Sequence, residues 1–347
     1  MKQIAELANV SLQSVSRVVN KQPGVSAETR AHVNRIIEEL GYRPNRVAQA
    51  MRGSSYTLGV VGFGLQHYGP SHTLMGVEYE ATDQNYRIIL KLIRDPKDYD
   101  FDAIVEDLLA DHVDGIIWAV PQIGPEAEAV FARARDVAIP LAFTDAVTEA
   151  APLVVRADNY RGGVMVTRHL VDQGHAKIGI ITGPLEYASA VERLRAWRDV
   201  VTQAGLDQDE SLVCIGDWSA RSGFEGFHKL YKLNPGMTAV VASNDYMALG
   251  VLHAATDRGL HVPSELAVVG YDDLPEAEFF QPSLTSVRQN LEELGRRAVR
   301  ELIAAIETHR IEGKFEPNQV LIVPQLVVRS SSISPQRQNR RPPTPSR

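Results

Sequence analysis

Apolar residues recur at helical spacing in three short segments near the N-terminus. This spacing predicts helices over 3–9 and 12–20, and a third helix that begins after Ser26. Between the first two, Asn9 tolerates the left-handed backbone of a tight turn, and Ser11 can accept hydrogen bonds from the first amide groups of the second helix. Three short helices connected in this way are typical of a helix-turn-helix.

From residue 56 onward, the pattern changes to short apolar runs that alternate with amphipathic helical segments. Strands that are apolar along their whole length indicate a parallel sheet covered by helices on both faces. The pattern runs twice, over about 56–155 and 156–285, which predicts two doubly wound lobes. A helix near 289–308 and strands near 319–328 would cross back between the lobes. The eight predicted strands are LGVVGF, YRIILKL, DGIIWAV, PLAFT, KIGIIT, LVCIG, TAVVAS and LAVVGY, each but the last followed by a helical stretch.

Together these patterns predict a small all-α helix-turn-helix head on an α/β core with two parallel-sheet lobes. The predicted boundaries are 1–44 for the head, 45–53 for a hinge helix, 54–330 for the core and 331–347 for a disordered tail, with a first lobe of 56–155 plus 288–317 and a second lobe of 156–285 plus 318–330. A helix of two turns is marginal in water, so we expect the order of the hinge to depend on DNA and on a partner subunit. The tail is polar and rich in proline, which favours disorder.

Charge is distributed unevenly along the 347 residues. The whole chain carries a net −7, but residues 1–52 carry +4, the tail from 331 adds four arginines, and residues 53–330 therefore carry −15. A basic head favours a phosphate backbone, and an acidic body is repelled by it. The single cysteine, Cys214, excludes an intramolecular disulfide and a cysteine-built metal cluster. We expect no cofactor and no metal. No secretory signal or transmembrane run is present, so we expect a cytoplasmic protein without a membrane partner.

Two other protein classes are compatible with parts of this pattern. The segment GVVGFGLQ lacks the third glycine of a dinucleotide-binding loop, and no phosphate-loop, HExxH or GxSxG motif occurs, so we do not expect an enzyme. A solute-binding protein without a DNA role would fit the core alone. Such proteins are exported, whereas this chain begins with a DNA-binding head in place of a signal.

The motifs along the chain resemble the lactose repressor and galactose repressor family of bacterial regulators. The head contains IAELANVSLQSVSRVVN, VSAETR and ELGYRPNRVAQAM, and the core contains, in family order, DNYRGG and HLVDQGH, GPLEYASAVERLRAW, SNDYMALG, VVGYDD and SLTSVRQN. The match runs in register from residue 1 to about 330. The segment GDWSARSGF at 216–224 further resembles the lactose repressor branch.

This resemblance implies a repressor of periplasmic-binding-protein type, which binds a pseudo-palindromic operator as a homodimer. A small carbohydrate effector would bind between the lobes, either as an inducer or as a corepressor. Tetrameric members of the family end in a leucine heptad helix, whereas this chain ends in proline and arginine. We therefore expect a dimer.

The predicted DNA contacts lie on the second helix and in the hinge. They are Leu12, Gln13, Ser14, Arg17, Asn20, Asn45, Arg46, Ala48 and Met51. The first residues of the second helix face base edges in the major groove, where Gln13 can pair with adenine and Arg17 with guanine. Ser14 is equally suited to a phosphate contact. In the family the hinge enters the minor groove, and Met51 stands where a leucine wedge is usual; alternatively, Met51 packs across the dimer.

The predicted effector contacts follow strands or stand in the family motifs. They are Phe63, Trp118, Asp145, Ser189, Arg193, Trp218, Asn244, Asp272 and Gln289. Ligands of doubly wound lobes bind beyond the carboxyl ends of the strands, and sugars require polar partners together with an aromatic plane. Three alternatives stay open: Arg193 could be a surface charge, Trp218 could be buried core, and Ser189 could be a helix cap. We expect Asp245 and Asp273 to be caps or turn formers.

Overall fold

The computed structural model divides into two compact units, Met1–Ser55 and Tyr56–Arg347. The described residues are 2–19, 23–40, 55–121, 123, 127–148 and 150–333. The predicted hinge, at 45–53, lies outside this part of the chain, as does the tail from 334 onward.

The first unit contains the three predicted helices. They are α1 (Lys2–Leu7), α2 (Leu12–Val19) and α3 (Ala27–Glu39). Asn9 takes a φ of 50° in the turn between α1 and α2, and the Ser11 hydroxyl accepts a 3.0 Å hydrogen bond from the amide of Ser14. Ser26 caps α3 by accepting a hydrogen bond from the amide of Thr29. The three helices bury a small core of Ile4, Ala8, Val15, Val18, Val33 and Ile36. This arrangement confirms the predicted helix-turn-helix.

The second unit begins with a lobe built on a parallel six-stranded sheet. Its elements are β1 (Thr57–Gly62), α4 (Tyr68–Asp83), β2 (Arg87–Leu92), α5 (Phe101–Ala110), β3 (Gly115–Ala119), α6 (Ala127–Asp136), β4 (Leu141–Thr144) and β5 (Leu153–Ala157), with α11 (Leu291–Glu312) and β11 (Asn318–Ile322) from later in the chain. The strand order is β11-β5-β4-β3-β1-β2, and all the pairings are parallel. Two hydrophobic clusters include buried side chains from the sheet, and one of them also contains the buried face of α11.

The other lobe of this unit repeats the design. Its elements are α7 (Asn159–Asp172), β6 (Ile178–Thr182), α8 (Ala188–Gln203), β7 (Val213–Ile215), α9 (Ala220–Leu233), β8 (Ala239–Ala242), α10 (Asp245–Asp257), β9 (Ala267–Asp272), β10 (Thr285–Arg288) and β12 (Gln325–Val327). The strand order is β12-β10-β9-β8-β6-β7, with only β12 antiparallel among these pairings. The chain passes between the lobes after β5, after β10 and after β11. Two doubly wound lobes with late crossovers are confirmed.

Three details of the predicted boundaries were wrong. Strand Asn318–Ile322 pairs with β5 in the first lobe, whereas the whole of 318–330 was assigned to the second. No helix follows β4 among the described residues, because the chain turns directly into β5, which the sequence analysis did not identify as a strand. The first tail residues are ordered, because the buried Ser331 hydroxyl donates to the carbonyl of Val268 and accepts from the amide of Thr285.

Candidate functional site

The exposed surface of α2 carries the predicted base-reading residues. Leu12 and Gln13 are exposed, whereas Ser14 and Arg17 are half-buried. The hydroxyl of Ser14 lies 2.9 Å from that of the capping Ser11. The opposite face of α2 is apolar and buried in the core of the head, so the packing presents the polar face outward. Asn20, Asn45, Arg46, Ala48 and Met51 lie outside the described residues, so these contacts stay predictions.

A cavity of about 170 Å³ lies between the two lobes. One water needs only about 10–15 Å³ on the same measure, so the space suits a larger molecule. The first lobe lines the cavity with the loop after β1 and with residues just beyond β3 and β4. The second lobe contributes the start of α8 and the residues that follow β8 and β9. These are the carboxyl ends of the parallel strands, where loop side chains of doubly wound folds converge on ligands.

The predicted effector residues converge on this cavity with one exception. Phe63, Asp145, Ser189, Arg193, Trp218, Asn244, Asp272 and Gln289 all line it. Trp118 does not, and its prediction as a contact was wrong. Its indole is fully buried within the first lobe, where it packs against the ring of Phe101 at a centroid distance of 4.7 Å. The side chain belongs to the sheet interior, and the lining begins one residue later, at Ala119.

Arg193 is the only arginine or lysine in the described lining of the cavity. It is buried, and both Nε and Nη2 donate to Oδ1 of Asn159, at 3.0 and 2.8 Å. Nη1 donates to the carbonyl of Ser243 at 2.5 Å, and the guanidinium lies 3.6 Å from the ring centroid of Tyr271. These partners fix the guanidinium plane before a ligand arrives, which reduces the entropy lost on binding.

Two carboxylates flank this cation, each on a backbone of positive φ. Asp145 follows β4 at a φ of 62°, and Asp272 ends β9 at a φ of 113°. Burial raises the pKa of Asp145 to about 6, and it raises the pKa of Asp272 to about 6 as well; the charge of Arg193 offsets only part of this effect. A buried carboxylate with unfilled acceptor positions is destabilised, so both groups favour a ligand that supplies further hydrogen-bond donors.

Amide side chains hold the polar walls in place. The Asn244 carbonyl oxygen caps α10 by accepting from the amide of Met247, and its Nδ2 donates to the carbonyl of Trp218 at 2.9 Å. Gln289 lies on the crossover between the lobes and donates from Nε2 to Oδ1 of Asp272 at 2.5 Å. The positions of Trp218 and Asp272 are therefore fixed by neighbours that also face the cavity.

The Trp218 indole forms an aromatic wall of the cavity, and it packs against a glycine. Trp218 is half-buried at a φ of 70°, and its indole lies against Gly183. A Cβ atom at Gly183 would stand 2.0 Å from Cζ2 of the indole. Glycine is thus required beneath the ring, and Trp218 contributes to the cavity surface as predicted rather than being wholly core.

The predicted turn formers take structural roles. Asp245 is fully buried and accepts hydrogen bonds from the amide of Leu274 and the hydroxyl of Ser286, so it holds the loop after β9. Asp273 makes 2.6 Å ion pairs with Arg288 and with Arg329. Neither lines the cavity.

The lining also contains residues that the sequence analysis did not choose, among them Asn159, Tyr187 and Tyr246. Asn159 stands in the motif DNYRGG and orients Arg193, and a search for polar residues just after strands would have found it because it follows β5. Tyr187 and Tyr246 stand in quoted motifs but were not chosen. An ion pair also joins the lobes beside Tyr187: Lys97 donates from Nζ to Glu186 at 2.6 Å. Both tyrosines stand at the start of a helix, and the sequence carries no signal of the direction in which such a ring points.

Within the described segments, no group of three or more His, Cys, Asp or Glu side chains could hold a metal ion. No helix in that part of the chain is long and apolar enough to cross a membrane.

Comparison with known proteins identifies both parts of the chain. Residues 1–45 match the family of bacterial regulatory proteins, lacI family, and residues 167–332 match a periplasmic binding protein-like domain. The lactose operon repressor of Escherichia coli (strain K12) is 35% identical over 343 residues, which cover 98% of this chain and 92% of that protein. The HTH-type transcriptional regulator CelR of Thermobifida fusca is 32% identical over 346 residues, with 95% and 97% covered.

Solved structures agree over the same length. A Lac repressor dimer bound to operator and the anti-inducer ONPF matches with a TM-score of 0.77 at 32% identity, covering 95% of this chain and 98% of that one. A complex of the regulator CelR with cellobiose matches with a TM-score of 0.71 at 30% identity and the same coverage. A DNA-binding head joined to a two-lobed small-molecule receptor defines a class of transcription regulators. This chain belongs to the lacI family of bacterial regulatory proteins, as its motifs predicted.

Proposed function

We propose that this chain is a transcriptional repressor whose operator affinity is controlled by a small carbohydrate, a glycoside inducer bound in the cavity between the lobes. The observation that carries the proposal is the cavity itself, in which Asp145, Arg193 and Asp272 face an aromatic wall. Carboxylates accept from sugar hydroxyls, the guanidinium donates to them, and the apolar C–H face of a pyranose packs on the indole.

On the DNA side, the exposed face of α2 would read base edges of a pseudo-palindromic operator. Two heads are needed for such a site, so the active form is a homodimer, and the Lac repressor relative bound to operator is a dimer. Access to the chromosome places the protein in the cytoplasm. The polar groups of the cavity have a binding role here, and the proposal includes no catalytic step.

Control follows from linkage between the two sites. The inducer binds preferentially to an arrangement of the lobes that the operator-bound dimer does not favour, so sugar lowers operator affinity. The relatives' ligands support a glycoside, because one structure contains cellobiose and another contains ONPG. Gln289 lies on a crossover between the lobes and touches Asp272, so its position is sensitive to closure.

The proposal can be tested on the intact protein in two stages. A thermal-shift screen of monosaccharides and disaccharides identifies a ligand, and operator titration by fluorescence anisotropy then measures its effect. Gln13→Ala should weaken specific operator binding by about 5- to 150-fold and leave nonspecific binding unchanged, because one bidentate base contact is worth about 1–3 kcal/mol. Equal losses on operator and random DNA would contradict base reading.

A second variant tests the sugar site separately from DNA binding. Asp272→Asn keeps the shape of the side chain but removes the charge that accepts hydroxyl hydrogens. It should bind operator with the affinity of the unmodified protein and should no longer be released by the sugar. If the sugar instead tightens operator binding in the unmodified protein, the effector is a corepressor and the proposed sign is wrong.

A further inference from the structure

A second aromatic ring stands beside the Trp218 wall and has no role in the contacts described so far. Tyr187 lines the cavity, and its ring meets that of Trp218 at an interplanar angle of 87° with centroids 6.1 Å apart. Tyr187 is the N-cap residue of α8, yet its side chain makes no capping hydrogen bond. Its hydroxyl has no hydrogen-bond partner among the described residues. The side chain is therefore available to a ligand.

The two rings cannot serve the same face of one sugar. A pyranose packs its C–H face parallel to an aromatic plane, and a single flat ring cannot lie parallel to two planes at right angles. A ligand with one ring leaves one aromatic surface unused. A ligand with a second ring, turned about a glycosidic bond, can use both.

Tyr187 lies toward the rim of the cavity, because it is half-buried and directly follows the exposed Glu186. Burial raises the pKa of its phenol, the neighbouring Glu186 raises it further, and Lys97 opposes this; the more distant Asp145 also contributes. Glu186 and Lys97 have side chains that are about half exposed, at 51% and 54%, and they join the two lobes at the outer side. Tyr187 thus lies in the cavity lining, next in sequence to a member of this exposed pair.

We propose that Tyr187 determines specificity for ligands with two rings: it stacks on the outer sugar or aryl group of a glycoside, whose inner sugar is held by Asp145, Arg193 and Asp272 against Trp218. This inference rests on the proposed function and extends it from small carbohydrates in general to disaccharides and aryl glycosides. The phenol hydroxyl is free to bond a hydroxyl of the outer ring. Stacking of this kind is worth about two- to tenfold in affinity.

The test compares paired ligands by isothermal titration calorimetry on the full-length protein. The pairs are cellobiose with glucose, lactose with galactose, and o-nitrophenyl galactoside with galactose. At least one two-ring ligand should bind more tightly than its single-ring partner. Tyr187→Ser should remove about two- to tenfold of that advantage and leave the affinity for the single ring within twofold. Tyr187→Phe should keep the stacking part of the advantage.

Control measurements separate this role from a general structural one. Tyr79→Ser changes a tyrosine that is 42% exposed and does not line the cavity, so it should leave every affinity unchanged. Unfolding temperatures check that both serine variants fold. If Tyr187→Ser weakens both members of a pair equally, or weakens neither, the specificity role is overturned while the repressor function stands. If no sugar in the panel binds the unmodified protein, the proposed function and this inference both fail.

Discussion

Sugar binding should weaken in acid because of the two buried carboxyls in the cavity. The pKa of Asp145 and that of Asp272 are both raised to about 6 by burial, so in the free protein they take up protons as pH falls through 6. Sugar hydroxyls donate stronger hydrogen bonds to the ionised carboxylate than to the protonated acid, so binding lowers both pKa values. Below pH 6 the ligand must therefore displace protons, and its affinity falls.

The size of the effect follows from the same pKa values. One unit below its pKa, each carboxyl weakens binding by about tenfold, or about 1.4 kcal/mol, so both together predict about 100-fold between pH 8 and pH 5. The stability of the sugar-free protein should change in the opposite sense. Each folded-state pKa lies above the ordinary value of 3.8, so the folded protein binds more protons than the unfolded chain between pH 4 and 6. The contribution of these two carboxyls to the free energy of unfolding is therefore greatest below pH 4. As pH rises through 6, each contribution falls by up to about 3 kcal/mol.

Calorimetry can measure both the affinity for sugar and the number of protons released when sugar binds. Titrations at pH 5, 6, 7 and 8, each in two buffers with different ionisation enthalpies, should show proton release centred near pH 6. Asp145→Asn should halve the slope of log affinity against pH, whereas Asp111→Asn, an exposed acid on the first lobe, should leave it unchanged. An affinity that stays within twofold from pH 5 to pH 8, without proton release, would refute the role assigned to the carboxylates.

Three further predictions concern single features of the fold. Gly183→Ala places a Cβ 2.0 Å from the indole of Trp218, so it should lower sugar affinity at least about tenfold by calorimetry and leave operator affinity unchanged. Gly236→Ala, which has open space around the added Cβ, should change neither affinity. Lys97→Met should speed sugar dissociation by up to about fivefold in stopped-flow experiments, because its half-exposed ion pair with Glu186 is worth at most about 1 kcal/mol. In 0.5 M salt the unmodified protein and the variant should release sugar at the same rate, and a difference that persists in salt would exclude an electrostatic role for this ion pair. Ser26→Ala should lower the stability of the head by about 1 kcal/mol, seen as faster hydrogen exchange in the third helix, and unchanged exchange would mean that the cap contributes nothing.

Much of the site could be predicted because periodicity fixes which ends of the strands meet. Asp145 and Asp272 directly follow or end apolar runs, and parallel strands bring those ends to one edge of each sheet. The head was equally clear, since Asn9 and Ser11 stand where a tight turn and a helix cap require them. In each of these places the local signal and the packing agree.

The errors come from choices that the local sequence does not determine. Side chains alternate between the faces of a strand, and both faces of the first sheet are covered, so strands reach the cavity only through their last residue and those beyond it. Trp118 lies one residue before the end of β3, closer than a pattern can locate an end. The strand Asn318–Ile322 is partly exposed and could have paired with either sheet. Ser331 begins a polar segment whose composition predicts disorder. Its hydroxyl nevertheless bonds the buried backbone groups of Thr285 and Val268, which are remote in sequence.

The central claim is that one ligand site and one DNA site share a single equilibrium. The most direct test measures the dissociation constant of the best sugar with and without saturating operator, and that of operator with and without saturating sugar, on the same preparation. The account predicts that each ligand weakens the other by the same factor, because coupling free energy is reciprocal. Sugar that binds in the cavity but leaves operator affinity unchanged would contradict it.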